Sequence, residues 1–303
     1  LSIPHEIALN SLFSKIKYKN KVVISGEGAD EMFGGYGRVQ SSGYDYKKIL
    51  FIKKYPVFIQ KILFNLFGSE NFKWSKYKNQ LDHFIDIYKW FGINEKFNLL
   101  SDDIRNKIEN DKKVKKFWIK EFENIKEEDV LDKTMIIFQK HHLNCLLHRL
   151  DTHSMAHGVE ARVPFCDHRI LEFVSKVPYE YKFRWKNDLS KFKSLFTNSF
   201  KFSEKMDVSK YLLRKFGDKK LPIEISQKKK LGFPVPLDKW LKGNFLNYSK
   251  EILLDDRTTK RGLFKKEQIE KLLNNPQILE YDFWGKKIWM LINVELWSRN
   301  FID

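Results

Sequence analysis

Val22-Val23-Ile24, followed by Ser25–Tyr36 with the sequence SGEGADEMFGGY, is the stretch that decides the fold. Three β-branched residues without a polar interruption have the pattern of a strand buried in a parallel sheet. The run ends abruptly at Ser25, and Gly26 and Gly28 let the backbone turn sharply and come close to a ligand. In an open α/β sheet, ligands bind beyond the carboxyl ends of the strands, where successive N–H groups can cradle an anion. Glu27, Asp30 and Glu31 place three acids within five residues of that turn. Beside a phosphate site, acids hold a divalent cation or act as a base, because otherwise they would repel the phosphate. The simpler alternative is an acidic, glycine-rich turn that caps the next helix.

Outward from this point the pattern becomes helical. Leu9–Lys17 reads as a short helix before the strand, and from about Asp45 onward helical periodicity dominates. Ile136, Leu143, Leu147 and Leu150 keep spacings of 7, 4 and 3, one stripe of a helix over about 130–150. Trp284, Ile288 and Leu291 do the same near the end of the chain, and Pro178, Pro222, Pro234, Pro236 and Pro276 mark breaks between helices. The fold class expected is α/β: a remnant of a parallel sheet over residues 1–40, then a mainly helical region over 41–303. A single parallel strand cannot stand alone, so its sheet partners are expected upstream of Leu1.

With 42% hydrophobic residues, 26 Phe and 8 Trp among 303 residues, the chain can bury a real core and is not disordered. The net charge of +17 favours anionic partners, although the lysines are spread along the whole chain in the manner of a solvated surface. Two cysteines, Cys145 and Cys166, make no disulfide framework and suit a reducing cytoplasm. No apolar run approaches the length of a membrane span, so no membrane association is expected.

Three longer stretches now become specific. SGEGADEMFGGY at 25–36, RLDTHSMAHGVEARVPFCDH at 149–168 and KKKLGFPVPLDKW at 228–240 occur in the order and spacing of the asparagine synthetase family, and LINVELWSRNF at 291–301 resembles that family's closing helix. The chain resembles the C-terminal synthetase part of these glutamine-hydrolysing enzymes. The resemblance implies a nucleotide-binding core of the ATP-pyrophosphatase type, related to the adenine nucleotide alpha hydrolases. It also implies an ATP-dependent ligase of asparagine biosynthesis. Aspartate is activated as β-aspartyl-AMP with release of pyrophosphate, and ammonia, drawn from glutamine in the full-length protein, gives asparagine and AMP. By motif position, Glu27 is the general base and Lys230 the lysine that contacts phosphate during adenylation. Asp30 is the acid that helps hold Mg2+ and pyrophosphate. Ser25, Gly26 and Gly28 line the nucleotide or the aspartyl-AMP, and Arg149, Asp151 and Arg162 are either structural ion-pair anchors or further substrate or nucleotide contacts. ATP and Mg2+ are the cofactors implied, and a homodimer is an assembly open to it.

The chain also departs from the pattern. The SGG-x-DS pyrophosphate loop is absent from the sequence, as is the glutaminase domain with its nucleophilic terminal cysteine. Both are expected in a longer parent protein or a partner chain, without which this polypeptide alone would barely adenylate anything. The alternatives are a related amidotransferase or a ring-closing synthetase acting on another carboxylate, or a non-catalytic fragment. Glutamate at 27 favours amide formation, because the ring-closing relatives do not carry it there. A zinc site on His141, Cys145 and His148, which share one helix face, lacks an obvious fourth ligand. The lysine–aromatic interleaving at 72–77 and 182–202 matches no nucleic-acid-binding motif. Lys182–Asp207 reads as a subfamily helix or loop without an assigned role.

Overall fold

Val22–Ile24 forms strand β1, which pairs in parallel with β2 (Glu160–Arg162) in the register Val22↔Glu160, Val23↔Ala161 and Ile24↔Arg162. This corrects the expectation that β1 finds its partners only upstream. The partner comes from 138 residues further on in the register, inside GVEARVPF, and it was missed because a three-residue strand with charged ends carries no apolar run. The expected burial of β1 is also not seen within this chain, where Val22 is 42% and Ile24 78% exposed. The computed structural model describes residues 4–67, 77–126, 129–226, 228, 235–241, 243–274 and 283–303. Among these the chain is mostly helical, with this small parallel sheet and a two-stranded antiparallel ribbon.

The chain divides into two compact units. The one that carries the glycine-rich turn comprises Ile16–Tyr88 and Trp118–Lys230. After β1 come the short helix α1 (Ala29–Phe33) and the longer α2 (Ser42–Ile52). The apolar stripe read over 130–150 becomes α3 (Val130–Ile137) and α4 (Leu143–Met155), joined by a π-turn at Phe138–His142. Single π-turns inside helices widen the spiral by one residue and often mark functional positions. Met32, Phe33, Leu143 and Val174 form one apolar cluster beneath the turn, with Phe165 and Cys166 packed against it. Each fully buried side chain of this size contributes on the order of 2 kcal/mol, so α1 is held by packing rather than by its five-residue helix.

The stretch 182–207 is built into this unit. Its ribbon pairs Arg184–Trp185 with Asp207–Val208, and Phe183 and Phe202 are buried with Leu131, Met135 and Tyr179. The Asp45 carboxylate, fully buried on α2, accepts the Ser199 N–H at 2.8 Å and pairs with Lys48 at 3.0 Å. Part of the lysine–aromatic interleaving read there is therefore core, Lys182 included at 4% exposure. Of the stretch 72–77, only Tyr77 lies among the described residues.

The second unit comprises Leu1–Lys15, Lys89–Phe117 and Leu231–Asp303. Its core is the closing helix Trp284–Phe301, where Trp284, Ile288 and Leu291 are buried as their spacing predicts, against Leu241, Leu253, Ile269 and Leu273. Lys287 on the same helix is buried and pairs with Glu95 at 2.7 Å. No helix among the described residues is long and apolar enough to cross a membrane.

Candidate functional site

At the carboxyl end of β1, the Ser25 N–H donates to the Arg162 carbonyl at 2.8 Å, which extends the parallel ladder one residue into the turn. The Glu27 N–H then donates to Ser25 Oγ at 3.2 Å. Gly28 follows with φ +91°, and a Cβ there would lie 2.6 Å from Cys166 Sγ. Glycine is thus demanded twice at this position, by the left-handed backbone and by the approach of the Val163–Cys166 segment. Gly26 is different, because a Cβ there would meet no protein atom within 4 Å. The fold of this chain gives no steric reason for that glycine.

The Glu27 side chain leaves the turn toward α4, where Arg149 Nη2 donates to its Oε1 at 2.8 Å. The Arg149 side chain is 15% and the Glu27 side chain 24% exposed, so the pair is largely screened from water. Arg149 Nε is buried without an acceptor among the described residues. Asp30, one turn further on, pairs with Lys210 at 2.9 Å. That pair lies across Gly35, whose Cβ would fall 1.6 Å from Asp30 Oδ1 and 2.4 Å from Lys210 Cε. Lys210 itself has a left-handed backbone, φ 53°, and its N–H donates to the Gly34 carbonyl at 3.3 Å. Non-glycine residues in that region cost about 1–3 kcal/mol and persist where the surroundings over-determine them.

Behind these two ion pairs runs a hydrogen-bonded series of side chains that starts at the buried Glu31 and reaches the exposed Tyr88. Tyr36 Oη donates to Glu31 Oε1 at 2.6 Å, His142 Nε2 lies 3.2 Å from Tyr36 Oη, and His142 Nδ1 lies 2.7 Å from Tyr88 Oη. Burial raises the Glu31 carboxyl above the usual range, and burial together with the Glu31 charge raises the Tyr36 phenol. Burial, followed by the nearby positive charge of Arg149, lowers His142 to about 4, so its ring is neutral at pH 7. A neutral imidazole donates from one nitrogen and accepts at the other, which suits its place between two hydroxyls. The π-turn sets His142 there and lets Gln139 Nε2 donate to the Glu31 carbonyl at 3.2 Å.

The structure thus gathers Ser25, Gly26, Glu27, Gly28, Asp30 and Arg149 into one place. It does not bring the remaining candidates there. Arg162 contributes its carbonyl to Ser25, but its side chain is 63% exposed and pairs with Glu160 at 2.8 Å. Asp151 is exposed on α4. Lys230, with the rest of 229–234, lies outside the described residues. His141, from the helix face considered for zinc, pairs with Glu121 at 2.7 Å, while Cys145 and His148 are exposed. No group of three or more potential metal ligands occurs among the described residues. Sequence reasoning passed over Lys210, Tyr36 and His142. Tyr36 closes the quoted motif, whereas Lys210 lies outside every quoted stretch, and only the tertiary fold turns either toward Asp30 or Glu31.

Comparison with known proteins adds the relatives of the chain by sequence. The chain is 26% identical to glutamine-hydrolyzing asparagine synthetase 1 of Bacillus subtilis (strain 168), over 98% of its own length and 43% of the relative's. It is 27% identical to glutamine-hydrolyzing asparagine synthetase 3 of the same organism, over 55% of the chain and 22% of the relative. The chain therefore spans less than half the length of the curated relatives it matches. The sequence pattern of the asparagine synthase family matches residues 1–299, nearly the whole chain, and the chain belongs to that family.

Proposed function

We propose that the protein carrying this chain forms an amide from ammonia and the side-chain carboxylate of aspartate, using ATP. A carboxylate is a poor electrophile, and adenylation with loss of pyrophosphate gives it a good leaving group. Ammonia adds to the acyl carbon, the nitrogen gives up a proton, and AMP departs with the C–O bonding pair to leave asparagine. Glu27 is the group that takes the proton. Its Oε1 is anchored on Arg149, and Oε2 accepts no hydrogen bond from any described residue. That leaves one carboxylate lone pair open to a substrate nitrogen.

The observation that carries this reading is convergence. Residues 25–36, 149, 162–166 and 210, separated by up to 185 positions, meet around one turn at the end of a parallel strand. Asp30 offers one hard oxygen donor, a single protein ligand of the kind that would suit a Mg2+ arriving on ATP. Asp30 would help hold such an ion, whose chemistry there would be charge neutralisation at the departing pyrophosphate. Lys210, already paired with Asp30, adds a second positive group at the same place. Lys230 is assigned the phosphate contact by motif position alone.

The test is aspartate-dependent ATP–pyrophosphate exchange and ammonia-dependent asparagine formation by the complete protein. Glu27→Ala is expected to lower asparagine formation by roughly 10²–10⁴-fold while some exchange persists, because a general base serves only the second half reaction. Undiminished asparagine formation by that variant removes Glu27 from the role.

A further inference from the structure

Resting on that reading, we propose that Arg149 is a positioning residue for Glu27 rather than a contact of the nucleotide or of aspartate. A glutamate base has three rotatable side-chain bonds, and it acts only when its carboxylate is ionised and aimed. The backbone half of that task is done locally, by the Ser25 Oγ acceptor and the left-handed Gly28. The side-chain half is done from 122 residues away, by the single 2.8 Å bond from Arg149 Nη2 to Oε1.

Three features separate this role from substrate binding. The guanidinium is mostly covered, with its Nε buried and without an acceptor among the described residues, so the group is held by packing rather than presented to solvent. It sits five residues before the buried Ser154, whose carbonyl accepts the Val159 N–H at 3.0 Å just ahead of β2, so Arg149 is borne on a packed helix and not on a loop. Its positive charge also bears on His142, which places it between the Glu27 turn and the hydrogen-bonded series Glu31–Tyr36–His142–Tyr88. Arg149 thus links a carboxylate at the mouth of the turn to the packed interior behind it.

The two half reactions distinguish the roles. A residue that aims the base matters when ammonia has added, whereas a residue that binds ATP or aspartate matters already in adenylation. Arg149→Met in the complete protein is expected to lower the ratio of asparagine formation to ATP–pyrophosphate exchange by roughly 100-fold, the cost of misplacing a reacting group by about 1 Å. Combined with Glu27→Ala it should lower the ratio no further, because the two residues act as a unit. Arg149→Lys keeps the cation but shortens its reach, and its ratio should fall by only about 10-fold; this variant also serves if the methionine variant does not fold. The inference is overturned if both half reactions fall by the same factor, if neither changes, or if the double variant loses the product of the two single effects. A wild-type protein that catalyses neither half reaction removes the proposed activity itself, and with it the role of Arg149.

Discussion

The tightest steric statement in the site is at Gly35, and it leads to a quantitative expectation. An alanine there puts Cβ 1.6 Å from Asp30 Oδ1 and 2.4 Å from Lys210 Cε, so the Asp30–Lys210 pair cannot survive unmoved. The lysine end can swing aside, but Asp30 sits on a helix whose Gly35 N–H is itself bonded to the Asp30 carbonyl at 2.8 Å. With its side chains 19% and 26% exposed, the pair lies between the surface case of about 0–1 kcal/mol and the buried case of about 3–5 kcal/mol, so its loss costs about 1–2 kcal/mol. Forcing a methyl group into a filled contact adds about 1–3 kcal/mol. Gly35→Ala is therefore expected to destabilise the protein by about 3–4 kcal/mol.

Asp30→Ala, which removes both the partner and the obstacle, should cost only about 1–2 kcal/mol. In the Asp30→Ala background the second substitution meets only the flexible end of Lys210, and its cost should drop to about 1 kcal/mol. The coupling between the two sites is then about 2 kcal/mol and favourable, read from urea unfolding of the four proteins at fixed pH and salt. Additive losses, or a Gly35→Ala protein as stable as the wild type, would refute the placement of the Asp30 carboxylate over Gly35.

Gly28→Ala should cost about 2–3 kcal/mol in the same assay, since φ is +91° and Cys166 Sγ would lie 2.6 Å from the new methyl group. Adding Cys166→Ala should recover the steric part and leave the backbone part of about 1–2 kcal/mol. His83, 2% exposed, is lowered to about 4 by burial, so the native state binds fewer protons than the unfolded state between about pH 6.5 and 4. Its contribution is complete above the unfolded value and fades as pH falls through this window, a loss of roughly 3 kcal/mol that His83→Phe should abolish from the stability–pH curve. Asp207 acts in the opposite sense. Burial raises it to about 6, so its contribution is present at low pH and is lost as pH rises from about 3.8 to 6, a dependence that Asp207→Asn should remove.

What could be read from the residues, and what could not, follows from the range of each interaction. The turn after β1, the helical stripe at Ile136–Leu150 and the buried face of the closing helix rest on local periodicity and glycine placement, and all three are present. The pairing of β1 with Glu160–Arg162 was not legible, because a parallel pairing carries no turn signal and three residues carry no pattern. The same limit separates naming a residue from assigning its task. Arg149 and Arg162 stood together in one motif with the same two roles open to each, yet one side chain lies covered on Glu27 and the other lies exposed on Glu160. Their difference is set by the face of the element that bears each of them, α4 against the unit's interior and the short β2 at its surface. Lys210 makes the point from the other side. Nothing distinguishes it in composition among 56 basic residues, and its left-handed backbone, its bond to Gly34 and its reach across Gly35 exist only once the chain has closed upon itself. A glycine whose missing side chain is explained by two charged groups, one of them from a distant position, is thus the better pointer to the site. It records that the space above it is already taken, whereas the acids of the turn, read alone, are equally compatible with a helix cap.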